Sequence, residues 1–181
     1  AVSLHPQVKD RLDDIDRISI ETQESGVRII DKTGSLDNPA DRDHCIQYMV
    51  AVALIKGNLT AEDYEDDVAA DLRIDALRDK MQVSENERFS QDYLDPHKRS
   101  IANAVQVFFK DDTKTDRVEV DYPVGHRRRR DEGIPLLNAK FERNITTRLG
   151  LAQCERIFSV CNDQAQLEST PVDEFVGMWV V

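Results

Sequence analysis

The sequence lacks any long apolar run. No stretch approaches the roughly 18 consecutive apolar residues that a transmembrane helix needs, and the first residues do not follow the basic and then apolar pattern of a secretory leader. We therefore expect no membrane partner and a cytoplasmic location, or the mitochondrial matrix for a fungal source. With 181 residues and 40% hydrophobic content, the chain is long enough to bury a core of its own.

Cysteine is also scarce. Cys45, Cys154 and Cys161 are an odd number and include no CxxC pair, so they have neither zinc-site spacing nor the pattern of a disulfide framework. We interpret them as reduced thiols and predict no metal site. A GxSxG motif and a phosphate-binding glycine loop are absent as well, which argues against hydrolase and nucleotide-binding functions.

Positive charge is in short supply, because the formal net charge is −11. Such a surplus of carboxylates argues against nucleic acid as a partner. The exception is a loop containing His126, Arg127, Arg128, Arg129 and Arg130. We predict that this arginine loop steers anions or forms an interface, and a solvated loop ahead of a helix is the alternative interpretation. No aromatic residues alternate with the arginines, which disfavours RNA binding.

The residue patterns predict an α+β fold. Alternation indicates a strand over 15–22, and Asn38, an apolar stripe and Gly57 predict one capped helix. A hairpin is expected over 101–122, and helical periodicity follows from 134 onwards. We predict a small, mostly antiparallel sheet with helices on one face, followed by a helical C-terminal segment. The predicted domains are 1–132 and 133–181.

Six stretches of the chain together resemble the C-terminal third of the MmgE/PrpD family. They are HPQVKDRLDDIDRI, VRIIDKTG, NPADRDHCIQYMVAVALIKGNLTAEDY, DPHKRSIANAV, VEVDYPVGHRRRRDEGIP and PVDEF. The resemblance runs from about His5 to the last residue. It implies a lyase that removes water from 2-methylcitrate, a small-molecule tricarboxylate, in propionate breakdown, with no obligatory metal or cofactor.

The same resemblance implies an architecture and partners. Residues 1–132 would form an α+β lid, and residues 133–181 would pack on an N-terminal helical domain that is missing from this sequence. Ile157, Phe158, Phe175 and Trp179 would then lie on an apolar face without its partner. A homodimer is expected for the full-length protein. The catalytic groups are expected upstream of Ala1, so the catalytic residues of the family are not assigned to this chain, and we expect the chain alone to be inactive.

Four residues are candidates for binding substrate carboxylates. Ser25 and Arg28 lie in the ES..RII part of the resemblance, and a guanidinium can bind a carboxylate through two parallel hydrogen bonds. An exposed ion pair of Arg28 with Glu24 or Asp31 is the alternative. His44 and Tyr48, four residues apart on the predicted helix, could each donate to an anionic oxygen, and the alternative is that they satisfy backbone groups or water.

Two other functions stay open at this point. The chain could come from a relative within the family that acts on citrate or cis-aconitate. It could instead be a non-catalytic binding or assembly module, whose arginine loop and apolar C-terminal segment dock a helical partner.

Overall fold

The computed structural model describes residues 1–180 and divides the chain into two compact units. The first unit is Ala1–Pro123, and the second begins at Val124. The domain boundary expected between residues 132 and 133 stays a prediction, and that position lies inside a helix, Arg130–Ile145. Within residues 1–180, no helix is both long enough and apolar enough to cross a membrane.

A four-stranded sheet forms the centre of the first unit. Its strands are β1 (Ile15–Thr22), β2 (Met81–Glu85), β3 (Asn103–Phe109) and β4 (Val118–Val120), in the order β2-β1-β3-β4. β1 runs parallel to β2, whereas β1 with β3 and β3 with β4 are antiparallel. The α+β class and the mostly antiparallel sheet predicted from the sequence are therefore confirmed.

Alternation along the strands places apolar residues on one face of this sheet. Ile18 pairs with Val107 and Ile20 with Val105, and all four residues are buried in the main core. Because successive side chains of a strand point to opposite faces, Ala104 lies on the other face. There it forms a smaller buried cluster with Ala102 and Phe89.

Helices and short turns surround the sheet and complete the first unit. In chain order, the helices are α1 (His5–Val8), α2 (Glu24–Ile30), α3 (Pro39–Asp43), α4 (Ile46–Lys56), α5 (Asp66–Ala69), α6 (Leu72–Arg78) and α7 (Glu87–Leu94). Thr60 and Asp63 form a capping box, which opens a 3-10 turn, Ala61–Tyr64, ahead of α5.

The single helix expected between Asn38 and Gly57 is wrong, because α3 and α4 are separate. The Asn38 side chain accepts a hydrogen bond from the Asp41 amide at 3.0 Å and starts α3 as expected. His44 and Cys45 then leave the helical conformation, with φ/ψ of −108°/25° and −123°/109°. The fully buried Cys45 donates from Sγ to the Lys32 carbonyl at 3.5 Å, so contacts with another segment accompany this break.

The second unit is helical, as expected for the C-terminal segment. Its helices are α8 (Arg130–Ile145), α9 (Leu151–Asn162), α10 (Gln164–Ser169) and α11 (Val172–Gly177). The side chains buried within it include Ile145, Cys154, Ile157 and Val160.

The apolar face expected on the C-terminal segment is made of other residues than those named from the sequence. Ile157 is fully buried, and Phe158 and Trp179 both pack on Phe141 with ring centroids about 6 Å apart. Phe175 packs on Trp179 in the same way. The large apolar side chains that the described part of the unit exposes are Ile134, Leu136, Leu137, Leu151, Leu167, Val172, Val176 and Val180.

Candidate functional site

The candidates Ser25 and Arg28 both lie on α2, which begins directly after β1. Ser25 is half-buried, whereas the Arg28 side chain is 71% exposed and lies 3.6 Å from the Glu24 carboxylate. This is the exposed ion pair that the sequence offered as the alternative to a substrate contact. Exposed pairs of this kind contribute little to stability, so the Arg28 guanidinium can exchange Glu24 for another carboxylate at small cost.

His44 and Tyr48 do not share a helix face, because the chain leaves the helical conformation between α3 and α4. His44 is exposed and pairs with the neighbouring Asp43. Tyr48 is 2% exposed, and its hydroxyl donates to the Asp63 carbonyl at 2.7 Å. Burial raises the pKa of Tyr48, although the nearby positive charge of Arg42 opposes this shift. The Tyr48 hydroxyl is therefore a protonated donor around neutral pH.

The arginine loop belongs to the second unit. Arg127–Arg129 form a 3-10 turn, which is capped by His126 Nδ1 accepting from the Arg128 amide at 3.1 Å. Arg130 then opens α8, and Arg129 pairs with Glu132 at 2.7 Å. Local capping thus accounts for the shape of the loop, and its role in anion steering or at an interface stays a prediction.

A pocket of about 420 Å³ lies in the first unit beside Tyr48. The loop 34–37, in which Gly34 supplies a φ of +87°, forms one wall. The rest of the lining comes from the helices. It consists of Tyr48 of α4, Arg42 of α3, Ala69 of α5, Asp75 and Arg78 of α6, and Asp79, which directly follows α6. The volume is within the roughly 300–1,000 Å³ typical of small-molecule sites.

Two arginines from different helices line this pocket and are almost completely buried. The Arg42 side chain is 7% exposed and donates to the Tyr64 carbonyl at 2.7 Å and to Asp66 at 2.7 Å. The Arg78 side chain is 10% exposed and donates to Asp75 at 2.5 Å and to the Gly34 carbonyl at 2.8 Å. Both Nε–H groups are buried without a hydrogen-bond partner among residues 1–180.

Sequence reasoning did not single out Arg42 or Arg78. A signal was available for Arg78, since it lies four residues after the buried Ile74 and next to the buried Leu77. It therefore borders the apolar stripe of α6. Arg42 has no comparable signal in the periodicity, because α3 is a short helix whose burial depends on α5 and on the turn at Tyr64.

This pocket presents both the donors of Arg42 and Arg78 and the carboxylates of Asp37, Asp75 and Asp79. A guanidinium has five donors and no acceptor, and it does not act as a base near neutral pH. Among residues 1–180, no group of three or more His, Cys, Asp or Glu side chains could hold a metal ion. The pocket thus offers hydrogen-bond donors and acceptors to a polar group.

Comparison with known proteins places the sequence in a family. The model of the MmgE/PrpD C-terminal domain matches residues 1–164. The chain belongs to the MmgE/PrpD family. Both arginines of the pocket and the arginine loop lie inside the matched family region.

Several relatives in this family are similar over nearly the whole chain. The chain is 55% identical over 168 residues to a protein of Cupriavidus necator named 2-methylcitrate dehydratase, and 52% identical over 168 residues to one of the same name from Escherichia coli strain K12. Each alignment covers 93% of this chain. A relative from Yarrowia lipolytica, named 2-methylcitrate dehydratase, mitochondrial, is 50% identical over 183 aligned residues covering 99% of the chain.

The chain spans about a third of the length of the curated relatives that it matches. In each of these three alignments it covers 35% of the relative's length. The family match therefore concerns the C-terminal domain.

Proposed function

We propose that this chain is the C-terminal part of a 2-methylcitrate dehydratase, a hydro-lyase that converts 2-methylcitrate to 2-methyl-cis-aconitate in propionate catabolism. The observation that carries the proposal is the identity of 52–55% over 168 residues to bacterial relatives that bear this name. Identity at this level along 93% of the chain favours a shared substrate over a shared fold alone.

The resemblance to the family implies a division of labour within the whole protein. Dehydration needs a base next to a carboxylate, an acid for the leaving hydroxyl and cations that hold the substrate. We assign the acid and base to the part of the protein upstream of Ala1. This chain would supply positive and donor groups, which are Ser25, Arg28 and His44 for the substrate and residues 126–130 for anion steering or an interface. The hydroxyl proton of Tyr48, the fourth candidate, is donated to the Asp63 carbonyl.

The second unit would dock on the N-terminal helical domain of the whole protein. Its exposed apolar side chains support this assignment, since Leu136 and Leu137 on α8 are 59% and 57% exposed and Leu151 on α9 is 74% exposed. Apolar surface of this kind is typical of interfaces. We also propose that the full-length protein is a homodimer and that a bacterial form is cytoplasmic.

A chimera tests the proposed function directly. The C-terminal third of the E. coli K12 relative is replaced by residues 1–181 of this chain, and dehydration of 2-methylcitrate is followed by the ultraviolet absorbance of the unsaturated product. We expect the chimera to be active, because every position of this chain that contacts substrate would be retained. The chain assayed alone is expected to show no turnover.

Two controls make the result specific. Citrate assayed in parallel tests the alternative of a relative with another substrate, and a chimera that prefers citrate would contradict the proposal. Size-exclusion chromatography and circular dichroism check that the chimera is folded. A folded chimera without activity would favour the binding or assembly module, and robust turnover by the chain alone would refute the division of labour.

A further inference from the structure

Helix α7 lies on the face of the sheet opposite the main core, and few apolar contacts hold it there. The buried side chain of α7 is Phe89, which packs on the small residues Ala102 and Ala104. Another large apolar residue of α7, Leu94, is 73% exposed. By contrast, eight of the eleven residues of α4 are buried. Because hydrophobic stabilisation grows with the apolar area buried, apolar packing holds α7 far more weakly than α4.

Ion pairs join α7 to the strands on which it lies. Arg88 of α7 pairs with Glu119 of β4. Arg117, just before β4, donates to Glu119 at 2.6 Å and to both carboxylate oxygens of Glu21 on β1, at 2.7 and 2.8 Å. Glu21 also accepts a hydrogen bond at 2.6 Å from Asn86, the residue that caps α7. One network of charges therefore connects α7 with β1 and β4.

This network is open to solvent and covers the apolar anchor of α7. The Arg88 and Arg117 side chains are 47% and 35% exposed, and their guanidinium carbons lie 4.7 and 6.0 Å from the centroid of the Phe89 ring. Charges exposed to this extent are screened by salt, because the Debye length falls to about 3 Å at 1 M ionic strength. Salt should therefore loosen α7 at constant pH, whereas it does not screen the apolar contacts of the main core.

The start of α2 depends on α7. The first N–H groups of a helix have no acceptor within it, and the side chain of Gln23, the residue before α2, makes no capping hydrogen bond. Instead, the Glu24 amide donates to the Ser90 hydroxyl of α7 at 2.9 Å, and this hydroxyl donates to Glu85 at 2.6 Å. Opening of α7 would therefore uncap α2, the helix that carries two of the candidate substrate contacts.

We propose that α7 is an ionic strap, which opens as a local unit while the rest of the first unit stays folded and which releases the first turn of α2 when it opens. Segments with few buried apolar contacts are the ones that open locally at low free energy. Salt shifts the strap towards its open state, because it screens the ion pairs of Arg88 and Arg117. Any effect on substrate binding through α2 rests in addition on the proposed function.

Hydrogen–deuterium exchange of single amides, followed by NMR on the 181-residue chain at pH 7, tests the strap in 0.05 M and 1 M NaCl. We expect the α7 amides to exchange about tenfold faster at high salt, and the Glu24 amide to follow them. The α4 amides should change by no more than about twofold or become slower, since salt also screens repulsion within a chain of net charge −11. At 0.05 M NaCl, the α7 amides should already exchange about 100-fold faster than the α4 amides.

Three variants separate the network from the cap. Arg88→Gln removes the arginine of α7 from the network, so it should speed α7 exchange about tenfold at 0.05 M NaCl and reduce the salt effect to about twofold or less. Arg73→Gln is the matched control, because Arg73 lies on α6 with a 61% exposed side chain and pairs with Asp71 outside this network, and it should change α7 exchange by no more than about twofold. Ser90→Ala should speed exchange of the Glu24 amide while the α7 amides keep their response to salt.

The strap would be overturned by α7 amides that exchange as slowly as those of α4, or by α7 exchange that does not respond to salt. If Arg88→Gln acted no more strongly than Arg73→Gln, the network would not be what holds α7. A Glu24 amide that stays protected while α7 opens would refute the coupling to α2. Exchange requires no turnover, so an inactive chimera would overturn the dehydratase alone, and salt-independent exchange would overturn the strap alone.

Discussion

Replacing Gly57 by alanine probes how the end of α4 is held against the N-terminal helix. Gly57 has a φ of +75° and ends α4 with its amide donating to the Ala53 carbonyl at 3.0 Å. A Cβ at this position would lie 2.8 Å from Cδ2 of His5 and 3.1 Å from its Cγ. The His5 ring would have to move, and its Nδ1 bonds the Leu54 carbonyl at 2.9 Å.

The expected cost has two parts. A left-handed conformation costs a residue with a Cβ about 1 kcal/mol relative to glycine. Displacing the His5 ring would break its partly buried hydrogen bond to the Leu54 carbonyl, which contributes about 1 kcal/mol. Gly57→Ala should therefore lower the free energy of unfolding of the first unit by about 2 kcal/mol.

Hydrogen–deuterium exchange of the α4 amides measures this loss in the unit that contains Gly57. A decrease of about 2 kcal/mol corresponds to exchange about 30-fold faster. Gly34→Ala is the matched control, because Gly34 has a φ of +87° but no atom within 4 Å of an added Cβ, so it should cost about 1 kcal/mol.

A double variant isolates the contact with His5. In a His5→Ala background, Gly57→Ala should cost only the backbone share of about 1 kcal/mol, since no ring has to move. The reasoning would be refuted if Gly57→Ala cost no more than Gly34→Ala in the wild-type background. It would also fail if the His5→Ala background left the cost of Gly57→Ala unchanged.

Two further predictions concern the charged face of the sheet and the tyrosine of the pocket. Hydrogen bonds from Arg117 at 2.7 and 2.8 Å lower the pKa of Glu21 to about 2, from the ordinary value of 4.5. These hydrogen bonds stabilise the fold above pH 4.5, and the stabilisation is lost as the pH falls towards 2. Urea denaturation should therefore show Arg117→Gln about 1 kcal/mol less stable than the wild type at pH 7, with the difference shrinking below pH 4.5. A difference that stays constant with pH would contradict this. Tyr48→Phe leaves the Asp63 carbonyl without its 2.7 Å donor and should cost about 1–2 kcal/mol by the same assay, whereas an unchanged midpoint would show that the bond is replaced by water.

Much of the fold was predictable because it depends on residues close in sequence. Alternation identified β1 with its observed bounds, Ile15–Thr22, and the caps at Asn38 and Gly57 were confirmed. Helix α7 was not predicted, although Asn86 caps it. Its burial rests on one side chain, Phe89, which packs against the distant Ala102 and Ala104.

The candidate site was less predictable, because its groups are brought together by contacts between distant segments. Tyr48 was named from the sequence, but its hydrogen-bond partner is the backbone carbonyl of Asp63. A pattern of side chains does not predict which backbone carbonyl will accept such a bond. Arg28 was named for its chemistry, which the sequence shows, whereas its exposure is a property of where α2 lies on the surface. The substrate roles of these residues stay predictions.

The sequence by itself determined the family, the helix caps and the strand alternation, since these depend on local sterics, on hydrogen bonds within a few residues and on residue identity. Only the tertiary structure decided that α3 and α4 are separate helices and that β1 pairs in parallel with β2. It also decided that Arg42 and Arg78 line one pocket. The physical reason is that two residues 36 positions apart meet only through the packing of the elements between them, which the periodicity of neither helix encodes.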